Sequence, residues 1–432
     1  MSNDHRVSVR RLRTIAAFVV ISLSATAAAQ AQTPTRRAVV ESLDSAFFDD
    51  SVVHEIRLTI NSRDWQALKD HFMENTYYPC DFKWNDQAVR NIGIRSRGTG
   101  SRNGTKPGLR VDFNRYTTDQ TFLGLKSFVL RNNTQDASNL HERLGMLMMR
   151  RLGLPAPREA FTTLYVNNEY AGLYTIVESI DKAFLEKEFG DDEGYLYKYD
   201  YPEGAEPYYF EYRGSDPASY VPSPFTPETH EADPKPEVIE QFVWAINETN
   251  SAVFRSAIAA YVDIEQFVRF AAVENFIAER DGLLGFWGMN NFYTYRASNS
   301  TFFRFIAWDK SEAFTGGAEY GVLKNIDTAS WLQNRLMGRA MTFPDLYDTY
   351  LDTLLECARS AAEPPSTGDD TRPWLERELE REYQQIRSLV LSDPARPFTN
   401  DEFAAAIDAL RVFAADRGGF VTREVGRLRE SR

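Results

Sequence analysis

The chain is poor in the residues from which most metal and hydrolytic sites are built. Its 432 residues include two cysteines, Cys80 and Cys357, and five histidines. Two isolated cysteines without a CxxC pair or a nearby histidine exclude the usual structural zinc sites. In an oxidising compartment they could join, but spacing alone supplies no geometry. Beyond the first residues only His54, His71, His141 and His230 remain, none close in sequence to the acidic cluster described below. That disfavours histidine-based hydrolysis. No internal repeat or long low-complexity tract is present. Positive charge is not in excess: the net charge is −13, so nucleic acid and anionic membranes are not expected partners.

What is present is an ordinary globular composition, 43% hydrophobic and 26% charged, in a chain long enough for two or three domain-sized units. Residues 1–31 read as a signal peptide. Arg6, Arg10, Arg11 and Arg13 form a basic start, Ile15 to Ala28 is apolar, and Ala29-Gln30-Ala31 offers small residues for cleavage. The apolar run is shorter than the ~20 residues a spanning helix needs. The expectation is export to the periplasm or beyond, with no stable membrane insertion after signal removal. Residues 32–51 read as a flexible leader.

From 52 the texture alternates. Val53 to Ile60 reads as a strand and Trp65 to Phe72 as a short helix. Tyr78 to Trp84 and Gln87 to Arg97 flank Asn85-Asp86, a hairpin signal. Leu109–Phe113 and Ser127–Arg131 are further strands. Leu140, Leu144, Leu147, Met148 and Leu152 trace a helical stripe that Gly153 and Pro155 end. Phe161–Val166 and Ala171–Glu178 follow as strands, with a helix from Asp181. The stretch 200–236, rich in Pro, Tyr, Gly and Glu, reads as an insertion rather than core. Helices are expected over 237–248, 251–260, 263–280, Trp331–Met341, Pro344–Ala361, Trp374–Leu391 and from Thr399 onward. The predicted plan is α+β, with a sheet-rich front lobe over 52–180 and a helix-rich back lobe over 181–432.

The most informative segment runs from Asp281 to Asp309. Asp281 follows a predicted helix, Asn291 stands at the mouth of a strand, and Asp309 closes the next strand. A hairpin would return Asn291 and Asp309 to the same end. Kinase-type phosphoryl transfer needs that order: an acid to orient the attacking hydroxyl, then an amide oxygen and a second acid on a metal. Asp and Asn are also the usual residues of strand ends and turns. Gly98-Thr-Gly100-Ser-Arg-Asn-Gly104-Thr-Lys106, preceded by Arg95 and Arg97, has the glycines and cations of a phosphate-binding turn, or of a solvent-facing one. Glu142, on the following helix, suits an ion pair with Lys106 or a first-turn acid favoured by the helix dipole. Glu178 ends the last strand of the front lobe, placed to meet nucleotide, metal or solvent.

Taken together, these parts resemble a known family. Arg95-Ser-Arg97-Gly98 with Lys106, Leu152-Gly-Leu-Pro-Ala-Pro157, Val166-Asn-Asn-Glu-Tyr-Ala-Gly172, Val177-Glu178-Ser-Ile-Asp181, Gly194-Tyr-Leu-Tyr-Lys198, Asn290-Asn291-Phe-Tyr-Thr-Tyr295 and Ala307-Trp308-Asp309 are similar, in order, to the CotH (spore coat protein H) kinases. The resemblance implies an atypical protein-kinase-like bilobal fold that binds ATP and Mg²⁺ (or Mn²⁺) and phosphorylates Ser or Thr of secreted or envelope proteins. By position it implies Asp281 as the catalytic acid, Asn291 and Asp309 as metal ligands, and Lys106 near the phosphates, held by Glu142 or Glu178. Two departures stand out. Asn290 occupies a position where the family often has His, and Lys310 follows the metal-binding acid. A scaffold that keeps the fold without turnover is the rival reading, and a metal-dependent hydrolase using the same acids a third.

Overall fold

The structure, a computed structural model, describes residues 44–200, 206–326, 334–368 and 370–432. The expected signal peptide and residues 32–43 of the leader lie outside the described residues. Seven strands close into a barrel: β1 (His54–Ile60), β2 (Tyr78–Trp84), β3 (Gln87–Ser96), β4 (Leu109–Asp112), β5 (Ser127–Arg131), β6 (Glu159–Val166) and β7 (Glu169–Glu178). Around the barrel the order is β1-β2-β3-β4-β5-β7-β6. Closure comes from β6 pairing parallel to β1, the one parallel contact in the barrel; the rest pair antiparallel.

Period-two alternation decides what the barrel wall presents on each face. Ile92 and Ile94 of β3, Leu109 and Val111 of β4, and Phe128 and Leu130 of β5 all point into one apolar core. Their alternating neighbours Arg95, Arg97, Arg110, Val129 and Arg131 are therefore turned to the outer face. The helix α1 (Ser62–Asp70), capped by the Asn61 side chain, and α2 (His141–Arg151) interrupt the strand series. The carboxylate of Asp136 starts α2 by accepting from the His141 N–H at 2.8 Å.

After β7 the chain enters α3 (Lys182–Phe189), capped by Asp181 and ended by left-handed Gly190. A second sheet follows, in the order β11-β10-β8-β9, from β8 (Tyr195–Tyr199), β9 (Phe225–Pro227), β10 (Phe292–Arg296) and β11 (Arg304–Ala307). The remainder is helical: α4 (Pro236–Glu248), α5 (Phe254–Ile258), α6 (Ile264–Phe276), α7 (Arg335–Ala340), α8 (Pro344–Ala361), α9 (Trp374–Ser392) and α10 (Asn400–Glu430). Thr399 and Glu402 form a reciprocal capping box at the start of α10. Arg417 of α10, fully buried, donates to the carbonyls of Asn275, Phe276 and Ala318 and so ties that helix to α6 and to the segment after Asp309.

Three expectations change. The front strands form a closed barrel, because β1 finds β6 across a hundred residues, a pairing that local periodicity does not carry. The 200–236 stretch is not peripheral. Tyr208, Tyr209, Phe210, Tyr220 and Phe225 are buried, and β9 completes a sheet edge; aromatic area substitutes for periodic aliphatic residues. The helix expected from Trp331 runs from Arg335 to Ala340, with 331–333 outside the described residues. Cys80 on β2 and Cys357 on α8 are both buried and free.

Candidate active site

The loop from α6 to β10 is organised by buried carboxylates. Glu274, on α6, accepts from the Leu283 N–H at 2.8 Å, and Glu279 accepts from the Asp281 N–H at 2.7 Å. These bonds bend the chain back so that Asp281 meets the other end of its own loop. Asn290 donates to both Asp281 carboxylate oxygens at 3.1 Å. Asn291 donates to the Asp281 carbonyl at 2.8 Å and to its Oδ2 at 2.9 Å. Asn291 has φ +58°, a left-handed geometry that Asn tolerates better than most residues.

The β10–β11 hairpin then delivers Asp309. Phe292 pairs with Ala307, and the Trp308 N–H donates to the Asn291 carbonyl at 3.2 Å. Asp281, Asn291 and Asp309 thus converge, and the two acids lie close enough to repel one another. Burial pushes the Asp281 carboxyl up to about 6, the Asn290 amide opposing it. Asp309 behaves oppositely. Burial disfavours its charge, but Arg131 at 2.7 Å, nearby Arg97 and the Ser311 hydroxyl at 2.8 Å hold it well below the usual carboxylate range.

Arg131, at the end of β5, bridges two acids: its Nη1 meets Asp309 and its Nη2 lies 3.0 Å from Glu142 of α2. Glu142 Oε2 also accepts from the Lys310 N–H at 2.7 Å. Lys310 itself is fully buried, its amine 2.8 Å from Glu274 and 3.3 Å from the Asn291 carbonyl. The cation next to the metal-type acid is therefore neutralised inward and leaves the charge of Asp309 intact. His141, distant in number, also reaches this region, its Nδ1 lying 3.2 Å from the Ser311 carbonyl.

A cleft of about 520 Å³ opens between the outer barrel face and the second sheet. Arg95, Arg97, Arg110, Lys126 and Lys198 outnumber the acids Asp181, Glu228 and Glu231 in its lining; Val129, Ile180, Leu196, Tyr293 and Trp308 give it apolar walls. Asp281, Asn291 and Asp309 do not line this cleft; it approaches them through Trp308, which precedes Asp309, and through Arg97, whose charge acts on Asp309. The Arg97 guanidinium lies 5.7 Å from the Trp308 ring centre and makes no hydrogen bond or ion pair among the described residues. Burial, with Arg131 close by, lowers it to about 10, still charged at neutral pH.

Two expected placements fail. Lys106 meets neither Glu142 nor Glu178. It is buried against Asp393, Nζ to Oδ2 at 2.7 Å, beyond the end of α9. Its backbone N–H is held by Asn103, which directs the side chain toward β7, where Gly172 leaves room for Asp393: a Cβ there would fall 2.6 Å from the carboxylate oxygens. Glu178 is committed to Arg158 at 2.6 Å and Lys187 at 2.7 Å. The glycine turn before Lys106 is wrapped around Arg102, which donates to the carbonyls of Gly98, Phe72 and Glu74. The place expected for Lys106 is taken by Arg131, which the sequence reading missed. Arg131 is in phase with Val129 and one strand away from Arg110, a phase that marks a site only once β5 is known to be a barrel wall.

A magnesium ion can be tested against these residues. Asn291 spends its Nδ2 on Asp281, leaving its Oδ1 without a partner among the described residues, and Arg131 on Oδ2 and Ser311 on Oδ1 favour the ionised form of Asp309. Two hard oxygen donors suit an ion that takes one or two protein ligands and completes its shell with other oxygen ligands and water. The residues fit.

The family model described as CotH kinase protein matches residues 94–421, which contain every residue of this site. The chain belongs to the CotH kinase family. Inner spore coat protein H of Bacillus subtilis (strain 168) is 22% identical over 367 residues, covering 84% of this chain and 95% of the relative. Among solved structures, the Helicobacter pylori proinflammatory kinase CtkA covers 74% of this chain and 95% of its own at 10% identity, with a TM-score of 0.29. HipA of Shewanella oneidensis MR-1, in a complex with HipB and operator DNA, covers 74% of this chain and 65% of its own at 12% identity and a TM-score of 0.33. Scores this low carry no argument here; the family match does.

Proposed function

We infer that this protein is an exported, CotH-type kinase with a bilobal working arrangement, transferring the γ-phosphoryl group of ATP to a Ser or Thr hydroxyl of a secreted or envelope protein. The observation that carries the reading is the convergence of Asp281, Asn291 and Asp309, with Arg131 joining Asp309 to Glu142. In kinases a cation–glutamate pair next to the metal acid has this role.

Asn291 Oδ1 and Asp309 would hold Mg²⁺, or Mn²⁺, which when bound offsets charge on the phosphates. Arg97 and Arg95 line the approach and neutralise the triphosphate. Asp281 orients the acceptor hydroxyl: its carboxylate, fixed by two amides, accepts the hydroxyl proton as the new P–O bond forms and the bond to the β-phosphate oxygen breaks. Arg131 keeps Asp309 ionised and aligned. A second reading, nucleotide binding without transfer, draws on one observation, that Arg131 already engages Asp309 Oδ2. Incubation with labelled ATP and Mg²⁺ or Mn²⁺, followed by mass spectrometry for phosphoserine and phosphothreonine, separates them. Transfer that is lost in Asp309→Ala together with metal-dependent nucleotide binding supports the kinase. Binding without any modified residue supports the second reading, and free phosphate without a modified acceptor supports a hydrolase.

A further inference from the structure

The loop that carries Asp281 also sorts its own apolar residues. Leu283, Leu284 and Met289 are buried, whereas Phe286 is 52% exposed and Trp287 47% exposed. The two rings stand at 88° with centroids 5.6 Å apart, forming a notch rather than a flat face. Loose packing does not explain their exposure. The Tyr209 hydroxyl donates to the carbonyls of Gly285 at 2.9 Å and Phe286 at 3.1 Å. The Phe286 N–H donates to the Arg280 carbonyl, and the Met289 N–H to the Tyr208 carbonyl, both at 3.0 Å. Gly288 holds φ +114°, and a Cβ on Gly285 would meet the Gly288 carbonyl at 2.7 Å. The backbone is thus fixed with both rings outward, and its far end, at Asn290 and Asn291, is clamped back to the carboxylate and carbonyl of Asp281.

Paired exposed aromatics carry large apolar area at low conformational cost and are unusual on a surface with no partner. Arg280, adjacent to Asp281, adds charge. Its guanidinium lies 5.6 Å from the Trp287 ring centre and makes no hydrogen bond or ion pair among the described residues. We propose that Phe286, Trp287 and Arg280 select the acceptor: a polypeptide with an apolar side chain seated in the notch and an acidic residue facing Arg280, next to the hydroxyl presented to Asp281. The choice of a polypeptide rests on the perpendicular rings, which leave a cleft for a side chain rather than a platform for a sugar ring, and on a cation that no acid hydrogen-bonds, Glu312 lying only close enough to feel its charge. The inference rests on the kinase reading for its chemistry but not for its binding.

The test uses the full chain and matched serine peptides differing only beside the serine: apolar with acidic, apolar with basic, and polar throughout. Binding is read by titration calorimetry, and transfer from labelled ATP with the same peptides. The wild type should prefer the apolar–acidic peptide by about tenfold over the polar one. The surface variant Phe286→Ser/Trp287→Ser, read by calorimetry, should lose that preference. Arg280→Glu should invert the acidic-over-basic choice. Equal binding of all peptides, unchanged preference in the variants, tighter binding of an oligosaccharide, or a change of oligomeric state in the double variant would overturn the proposal. Selective binding without transfer to any peptide, and without self-labelling, would leave the surface standing and remove the kinase reading instead.

Discussion

Two buried ion pairs, both involving cations on the barrel, have opposite designs. Lys106 and Asp393 form a closed account of charge: one cation, one acid, 1% and 2% exposed, with the spare oxygen of Asp393 taken by the Ala395 N–H at 2.9 Å. Nothing is left over, and the pair pins the α9–α10 junction to β7. Arg131 faces a larger set, shared with Arg97. It meets Asp309 and Glu142, Glu142 in turn raises the buried Glu159 beside it, and Asp309 is 20% exposed. Glu159 has neither oxygen hydrogen-bonded by a conventional donor, and burial, then Glu142, raises it well above the usual range. A sealed pair stabilises; a cluster whose acid Asp309 stays partly exposed can exchange an arginine contact for another cation.

The comparison breaks first on Lys106→Met. Leaving Asp393 charged, buried and unpaired should cost about 3–5 kcal/mol of stability. Denaturant unfolding measures it, while nucleotide affinity of the folded fraction should not move. A loss of transfer per folded molecule would return Lys106 to the site. Arg131→Met should do the reverse: transfer falls by about 10²–10³, as for removal of one preorganised electrostatic partner, and Arg131→Lys restores part of it. If Arg131→Met merely lowers the unfolding midpoint, the two pairs are alike after all.

Asp281→Asn is expected next in size. Transfer should fall by about 10², the usual worth of a general base, with nucleotide binding preserved in a direct titration. This residue, with Asn291 and Asp309, was legible in the sequence because the hairpin that unites them is local: strand, short turn, strand. Elements with strong local signals, such as β5 and α8, begin and end where periodicity and Pro344 place them. Long-range partners were not legible. Lys106 finds Asp393 across 287 residues, and no local pattern distinguishes that acid from Glu142 or Glu178. Arg131 was hidden for a different reason: a strand-end arginine reads as solvated until the strand is known to be a barrel wall whose outer face lines a cleft. The buried aromatics of 208–225 were hidden because proline and tyrosine without periodicity look the same in a loop and in a core.

The smallest effect should come from Asn290, the residue standing where the family often has His. Its amide donates to both oxygens of Asp281 and therefore favours the ionised form; burial works the other way and leaves that carboxyl at about 6. Proton acceptance requires the carboxylate, so kcat/KM should rise as pH climbs through about 6 and level off above it. Removing the donor in Asn290→Ala leaves burial unopposed and raises the Asp281 value, which moves the acid limb to higher pH. Activity should drop a few-fold near pH 6, on the order of the change in ionised fraction, and scarcely change at pH 8. A loss of equal size at both pH values would mean that Asn290 aligns the loop rather than tunes the acid. No shift in the limb, with Asp281→Asn still inactive, would mean that proton transfer from the acceptor does not limit the rate.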